Sequence, residues 1–221
     1  MQRRGRVWLA ALAVFVLAAA VYLPSLENGF VWDDHELVQQ LDVRTLNWPT
    51  IQRLFTTNYW EMTEATSGMY RPLTILSFHT DYQIHGAKPA GYHMTNTLVN
   101  AAVSVMVLFV LLEMFGSLAT AFMAALLFAV FPMHVENVAW VSGRTDLLAT
   151  LFMLVSLWCY ARWRARPAPL VLAGSVLAFV ASLFAKETAV VLPAVVGVAE
   201  LLPLVRNRSR RERITGGIAT A

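Results

Sequence analysis

Charged residues are scarce in this chain, at 14% of 221 residues, whereas apolar residues make up 57%. A soluble domain carries about 25% charged residues, so this balance excludes an ordinary soluble domain and favours a membrane protein. The basic residues fall in short clusters and form no continuous basic face, which argues against nucleic acid as a partner. Cys159 is the single cysteine, so no disulfide can form within the sequence.

Six apolar segments stand out, each close to the roughly 20 residues that cross a membrane. They predict transmembrane helices at about 7–23, 95–113, 117–133, 146–163, 169–185 and 188–205. The expected fold is therefore an all-α integral membrane protein with one transmembrane domain over residues 1–206. A cleaved signal peptide is the alternative for the first segment, because it also has a basic start and an apolar core.

Arginine clusters predict the orientation of these helices, because basic residues in short loops tend to stay cytoplasmic. Clusters lie before the first helix, after the fourth and after the sixth, at positions 3–6, 162–166 and 206–213. They predict a cytoplasmic N-terminus and a basic cytoplasmic tail at 207–221. Residues 24–94 then form a first loop on the outer side, too long for a simple connection.

Short helices along the membrane surface are expected in this outer loop. Asp34 is placed to cap a helix over 35–40, and Asn47 to cap another. A third is predicted over 72–85, because Pro72 and Gly86 match the preference of proline for helix starts and glycine for helix ends.

Two polar groups lie in or near this loop. Asp33 and Asp34 are adjacent carboxylates, which could act as a general base or share a cation, or could simply cap a helix. Arg71 stands at a helix start, where its planar fork suits a phosphate, although an ion pair or a headgroup contact is equally open. His93 and Asn96 begin a polar face on the second membrane helix, where such residues more often fasten helices than do chemistry.

Two further groups lie between later helices on the same predicted side. The first, between the third and fourth helices, contains His134, Glu136, Arg144 and Asp146. Ionisable residues at membrane depth are costly and indicate function by default. The second is Lys186 with Glu187, which could neutralise each other at a hairpin tip or anchor a phosphate. An outward polar chamber could then meet a lipid-linked substrate from the bilayer and a second substrate from water.

Five sequence motifs carry a family resemblance. They are Phe-Val-Trp-Asp-Asp at 30–34, Tyr-Arg-Pro-Leu at 70–73, Gly-Tyr-His at 91–93 with Asn96, Phe-Pro-Met-His-Val-Glu-Asn-Val-Ala-Trp at 131–140 with Gly-Arg-Thr-Asp at 143–146, and Ala-Lys-Glu-Thr at 185–188. In this order they resemble the amino-terminal half of the transmembrane, tetratricopeptide-repeat-containing O-mannosyltransferases and their bacterial relatives, within the C-type glycosyltransferase (GT-C) superfamily.

The resemblance implies transfer of a sugar from a polyprenyl-phosphate donor to a hydroxyl of a protein or glycan acceptor, on the non-cytoplasmic face. It implies that Asp33 or Asp34 is the catalytic base. It also implies that Glu136 or Asp146 is a second acidic residue of the catalytic site, which orients the acceptor or holds a divalent cation. The implied substrate-binding residues are Arg71, His93, Asn96, His134, Arg144, Lys186 and Glu187. No spacing among them is a zinc signature, so the cofactor is left open.

The family members continue through further membrane helices, which predicts that this chain is a fragment. Two other functions are left open by the residues: a non-catalytic membrane subunit, and a small proton-coupled transporter. A bacterial inner membrane and an endoplasmic reticulum membrane both fit the charge pattern.

Overall fold

The computed structural model describes residues 2–40, 45–56 and 69–201. Over these ranges the chain is helical and contains no strand, which confirms the all-α class. The α-helices are α1 (Gln2–Val21), α2 (Trp48–Leu54), α3 (Pro72–His85), α4 (Pro89–Phe115), α5 (Leu118–Ala129), α6 (Val135–Ala139), α7 (Arg144–Ala165), α8 (Pro169–Ala185) and α9 (Leu192–Leu201). Short 3₁₀ turns lie at Leu23–Glu27, Pro132–His134, Val141–Gly143 and Glu187–Val191, and a π-helical turn lies at His35–Gln40.

Three helical stretches are long and apolar enough to cross a membrane. They are Arg4–Val21, Pro89–Phe115 and Val141–Ala165, and the bent pair Leu118–Ala129 and Pro132–Ala139 makes a fourth if it counts as one span. Helix α8 is apolar but has only 17 residues. The described residues therefore support three or four spans, and the arrangement of six stays a prediction. The predicted tail at 207–221 lies outside the described residues.

Helix α4 is the centre of the bundle and packs against α1, α5 and α7, while α7 also packs against α8. Alanines fill the crossing of α1, α4 and α5, where Ala18, Ala101 and Ala129 are fully buried. Small side chains let helix backbones approach closely, which is how helices associate in lipid. Ser156 of α7 and Ser175 of α8 each donate to the other's carbonyl at 2.9 Å, which fastens this hairpin.

The chain alternates in direction, so α1 and α8 end where α4 and α7 begin. We call this end of the bundle the site end. Helix α3 lies there, in contact with α4, α7 and α8. At the opposite end, Arg164 donates to both carboxylate oxygens of Glu200, at 2.8 and 2.6 Å. The polar groups singled out in the sequence therefore occupy the site end, away from this pair.

The short helices begin and end at recognisable signals. The side chain of Asn47 accepts a hydrogen bond from the backbone N–H of Thr50 at 2.9 Å and so caps α2. Helix α3 has the bounds that Pro72 and Gly86 predict, and Gly86 has a φ of 62°, which glycine adopts without strain. The next helix begins close by, because a Cβ on Gly91 would lie 2.3 Å from Cγ of His85.

Candidate active site

A tight turn over residues 31–34 carries the adjacent carboxylates. The backbone N–H of Asp34 donates to the carbonyl of Val31 at 3.0 Å, and the N–H of Val31 donates back to Oδ2 of Asp34 at 3.1 Å. Ser142 donates to Oδ1 of Asp34 from its N–H at 2.8 Å and from its hydroxyl at 2.5 Å. Asp34 is thus fully buried as the anchor of the turn. Asp33, at the tip, is half-buried.

Arg144 lies at the start of α7 and is fully buried. Its guanidinium forms an ion pair with Asp81 of α3 at 2.6 Å and donates to the side chain of Asn96 at 2.7 Å and to the carbonyl of Tyr92 at 2.9 Å. It also lies over the ring of Phe78, with Cζ 4.7 Å from the ring centre. A buried charge is tolerated only when it is paired and hydrogen-bonded, and these contacts fasten α3 and α4 to α7.

Asn96 and His93 also lie inside the fold, one helical turn apart on α4. The amide nitrogen of Asn96 lies within hydrogen-bonding distance of three carbonyls, those of Val138, Trp140 and Val141, at 3.3, 2.9 and 3.2 Å. The Nε2 atom of His93 lies 3.4 Å from the carbonyl of Gly29. Both residues therefore contact connecting segments of the chain and hold them against α4.

Two ion pairs lie at the end of α8. Lys186 donates to Oδ1 of Asp146 at 2.6 Å, and Arg71 donates to the two carboxylate oxygens of Glu187 at 3.0 and 2.7 Å. The adjacent Lys186 and Glu187 thus pair with partners from α7 and from the start of α3. Hydrogen bonds from Arg71 hold the pKa of Glu187 below its usual range. This pair is therefore ionised at neutral pH, and what it adds to stability is lost as the pH falls through that lowered pKa.

Residues 142–146 connect these groups to one another. Ser142 contacts Asp34, Arg144 enters the core, and Asp146 contacts Lys186. Ser142 lies in the 3₁₀ turn Val141–Gly143, and Asp146 lies in the first turn of α7. The acidic turn and the Lys186 pair are thus attached to one short segment, four residues apart along the chain.

Glu136 and His134 occupy the neighbouring segment between α5 and α7. Glu136 is exposed in the short helix α6. The ring of His134 packs against Phe128, with ring centres 4.3 Å apart, and against Phe131 at 5.8 Å. His134 is thus held by aromatic rings, whereas Asp146 and Lys186 hold each other in an ion pair.

Over the described ranges 2–40, 45–56 and 69–201, no three His, Cys, Asp or Glu side chains form a group that could hold a metal ion. The carboxylates that could have contributed are engaged elsewhere, Asp34 with Ser142 and Asp146 with Lys186. The described residues therefore offer no preformed site with three protein ligands.

Two residues at the site end were not among the predicted site residues. Asp81 pairs with Arg144 and accepts a hydrogen bond from Thr95 at 2.8 Å, and Ser142 anchors Asp34. Asp81 is the one carboxylate of α3, and α3 contains no Lys or Arg to pair with it, which is a signal that its partner lies on another element. Ser142 has no comparable signal, because a serine in a loop is ordinary.

Gly143 lets residues 142–146 pack closely against the preceding loop. A Cβ at this position would lie 2.8 Å from both Cα and the carbonyl oxygen of Asn137, and backbone atoms cannot move aside cheaply. We expect Gly143→Ala to destabilise the protein by about 1–3 kcal/mol, measured by thermal unfolding in lipid nanodiscs. Gly197→Ala is the control, because a Cβ there meets nothing within 4 Å. Equal unfolding temperatures for the two variants would contradict the close packing.

Comparisons with known proteins give a consistent group of relatives. The chain is 40% identical over 150 residues to protein O-mannosyl-transferase TMTC3 of Mus musculus, an alignment that covers 66% of this chain and 16% of that protein. It is 36% identical over 186 residues to Tmtc2 of Drosophila melanogaster, covering 79% and 20%, and 34% identical over 171 residues to TMTC4 of Homo sapiens, covering 69% and 23%.

The chain spans about a fifth of the length of these curated relatives. No protein-family model matches it. No solved structure matches it either. The resemblance that the five motifs predict is nevertheless confirmed, because over about two thirds or more of its length this chain is similar to the protein O-mannosyl-transferases of the TMTC group.

Proposed function

We propose that this chain is the sugar-transferring part of a multi-pass membrane glycosyltransferase of the GT-C type. It moves a mannosyl group from a polyprenyl-phosphate donor to a hydroxyl of a protein acceptor on the non-cytoplasmic face. One observation carries the proposal: the single segment 142–146 holds both the acidic turn, through Ser142 and Asp34, and Lys186, through Asp146. The names of the relatives supply the reaction type.

Asp33 is the proposed catalytic base. A base must come within hydrogen-bonding reach of the hydroxyl that it deprotonates. Asp33 is half-buried at the tip of the turn, whereas Asp34 is fully buried with both oxygens accepting hydrogen bonds. In the proposed step the acceptor oxygen bonds to C1 of the sugar, the bond from C1 to the phosphate oxygen breaks, and the acceptor proton passes to Asp33.

Arg71 and Lys186 are the proposed phosphate ligands. Negative charge grows on the phosphate as the bond to the sugar breaks, and fixed cations stabilise it. In this structure each cation holds a carboxylate, Glu187 for Arg71 and Asp146 for Lys186. These carboxylates keep the cations oriented before the donor arrives, and the phosphate replaces or shares them.

Five residues take supporting roles in this proposal. Arg144, Asn96 and His93 position the loops of the site from inside the fold, since Arg144 is fully buried and His93 and Asn96 contact connecting segments. Glu136 is exposed on the segment next to Trp140 and is placed to orient the acceptor. His134 packs with aromatic rings at the edge of that segment, where its ring could still meet a sugar oxygen.

The same proposal includes the topology over residues 1–206. With the bent pair counted as one span, the four apolar spans and helices α8 and α9 make six, and the N-terminus is cytoplasmic. The basic residues at the end of the bundle opposite the site end support this orientation, since such residues favour the cytoplasm. The membrane is then a bacterial inner membrane or that of the endoplasmic reticulum.

Lys186→Gln tests the phosphate site. We expect this variant to bind a short-chain prenyl phosphate about 10- to 100-fold more weakly, because it loses a hydrogen bond between charged groups. Binding would be measured by calorimetry on the full-length protein in nanodiscs. Lys88→Gln is the matched control, because Lys88 is exposed at the same end of the bundle, just before α4. Equal affinity of wild type and Lys186→Gln would contradict a phosphate site at Lys186.

A further inference from the structure

We propose that Trp32, with Trp140 behind it, is the surface on which the hexose ring of the donor stacks. The inference rests on the proposed function, because it names the part of the site that binds the sugar. The acids and cations of the proposed site account for the acceptor and the phosphate, and the two tryptophans would bind the sugar ring.

Trp32 occupies a costly backbone position. Its φ is 49°, and within the described ranges no other non-glycine residue has a positive φ. The left-handed region costs a bulky residue about 1–3 kcal/mol. Glycine or asparagine would occupy this turn position with less strain, so the strain indicates that the indole itself is useful there.

The indole is presented to the outside at the tip of the acidic turn. Trp32 is 77% exposed and is followed directly by Asp33. Its ring meets that of Trp140 edge to face, with centres 6.0 Å apart and planes at 80°. The carboxylate of Asp34 and the hydroxyl of Ser142 join the same two segments two residues further along each. The two contacts together hold the turn that carries Trp32 against the segment that carries Trp140.

A hexose ring fits this surface chemically. The face of an aromatic ring carries negative charge density, which attracts the weakly positive C–H groups on one face of a pyranose. The hydroxyls at the ring edge need acceptors, and the carboxylate of Asp33 follows Trp32 directly. Ser142, which holds Asp34, and Asp146, which holds Lys186, are four residues apart, so a sugar on Trp32 would have its phosphate on the side of the site where Lys186 lies.

Anchoring at the membrane interface is the competing role, because tryptophans are enriched there. Trp48 provides the comparison: it is 68% exposed in the same outer segment, but it opens α2 without a positive φ. An interface role predicts equal effects for the same substitution at both positions. A sugar-stacking role predicts an effect at Trp32 alone.

The experiment compares two probes on the full-length protein in nanodiscs. One is a short-chain prenyl phosphate that carries mannose, and the other is the same prenyl phosphate without the sugar. Wild type is expected to bind the mannosylated probe about tenfold more tightly. Trp32→Asn is expected to remove that preference, Trp32→Phe to retain part of it, and Trp48→Asn to retain all of it. Unfolding of Trp32→Asn is expected at or above the wild-type temperature, because asparagine adopts a positive φ more readily.

The inference is overturned if wild type shows no sugar-dependent affinity, if Trp32→Asn keeps it, or if Trp48→Asn loses it equally. Its failure is distinguishable from failure of the proposed function. Sugar transfer with a preference that does not depend on Trp32 removes only the stacking surface. A preference that depends on Trp32, in a protein that transfers no sugar, removes only the transferase proposal.

Discussion

Asp33→Asn is expected to lower the rate of sugar transfer by about 10²- to 10⁴-fold, the usual contribution of a general base. The amide keeps the shape of the carboxylate but cannot accept the acceptor's proton. Because Asp33 is half-buried at the tip of its turn, the unfolding temperature should change little. The measurement is the initial rate of mannose transfer to an acceptor peptide by the full-length protein, with unfolding followed in parallel.

Asp34→Asn is the matched control, since it makes the same chemical change one residue away. Asp34 is buried and accepts three hydrogen bonds, from Val31 and Ser142. Hydrogen bonds to a charged group contribute about 1.5–3 kcal/mol each, so this variant should lose stability as well as activity. An inactive Asp34→Asn of wild-type stability, alongside a fully active Asp33→Asn, would reverse the two roles.

Arg144→Leu is expected to destabilise the protein by about 3–5 kcal/mol, because it leaves the buried carboxylate of Asp81 without its cation. Such a loss corresponds to a fall in Tm on the order of 10 °C. Thermal unfolding in nanodiscs measures it. The double variant Asp81→Leu with Arg144→Leu should recover part of the loss, because replacing both partners of a buried pair removes the uncompensated charge.

The same variant separates two roles for Arg144. The sequence resemblance implies a substrate-binding arginine, whereas the structure shows a fully buried guanidinium that holds Asp81 and Asn96. A positioning role predicts that the double variant regains prenyl-phosphate affinity together with stability. Wild-type stability with lost phosphate binding in Arg144→Leu would make Arg144 a direct ligand.

Much of the helical framework could be predicted from local sequence. Apolar runs mark the long helices because lipid leaves the backbone no other hydrogen-bonding partners. Helix α3 could be placed from Pro72 and Gly86, and α2 from its cap at Asn47, because these signals act within a few residues. Because successive helices run in opposite directions, the sequence also predicts that the polar groups lie at one end of the bundle. The sequence determines the number of membrane spans less well, because α8 is shorter than a typical helix that crosses a membrane.

The pairing of side chains could not be predicted in the same way. Lys186 and Glu187 are neighbours in sequence, yet each contacts a residue more than 35 positions away. Asp33 and Asp34 are adjacent in sequence, and two of the three hydrogen bonds that make Asp34 the anchor come from the distant Ser142. Burial and long-range pairing depend on how helices pack, and a single sequence carries no direct record of that packing.

The central claim is that the acidic turn and the cations at the end of α8 serve one sugar phosphate. Photolabelling with a prenyl-phosphate hexose that carries a diazirine on the sugar tests it most directly. After illumination and digestion of the full-length protein, mass spectrometry should find the label within residues 30–34 and 140–146, and excess unlabelled donor should suppress it. Label at the opposite end of the bundle, around Arg164 and Glu200, would contradict the claim.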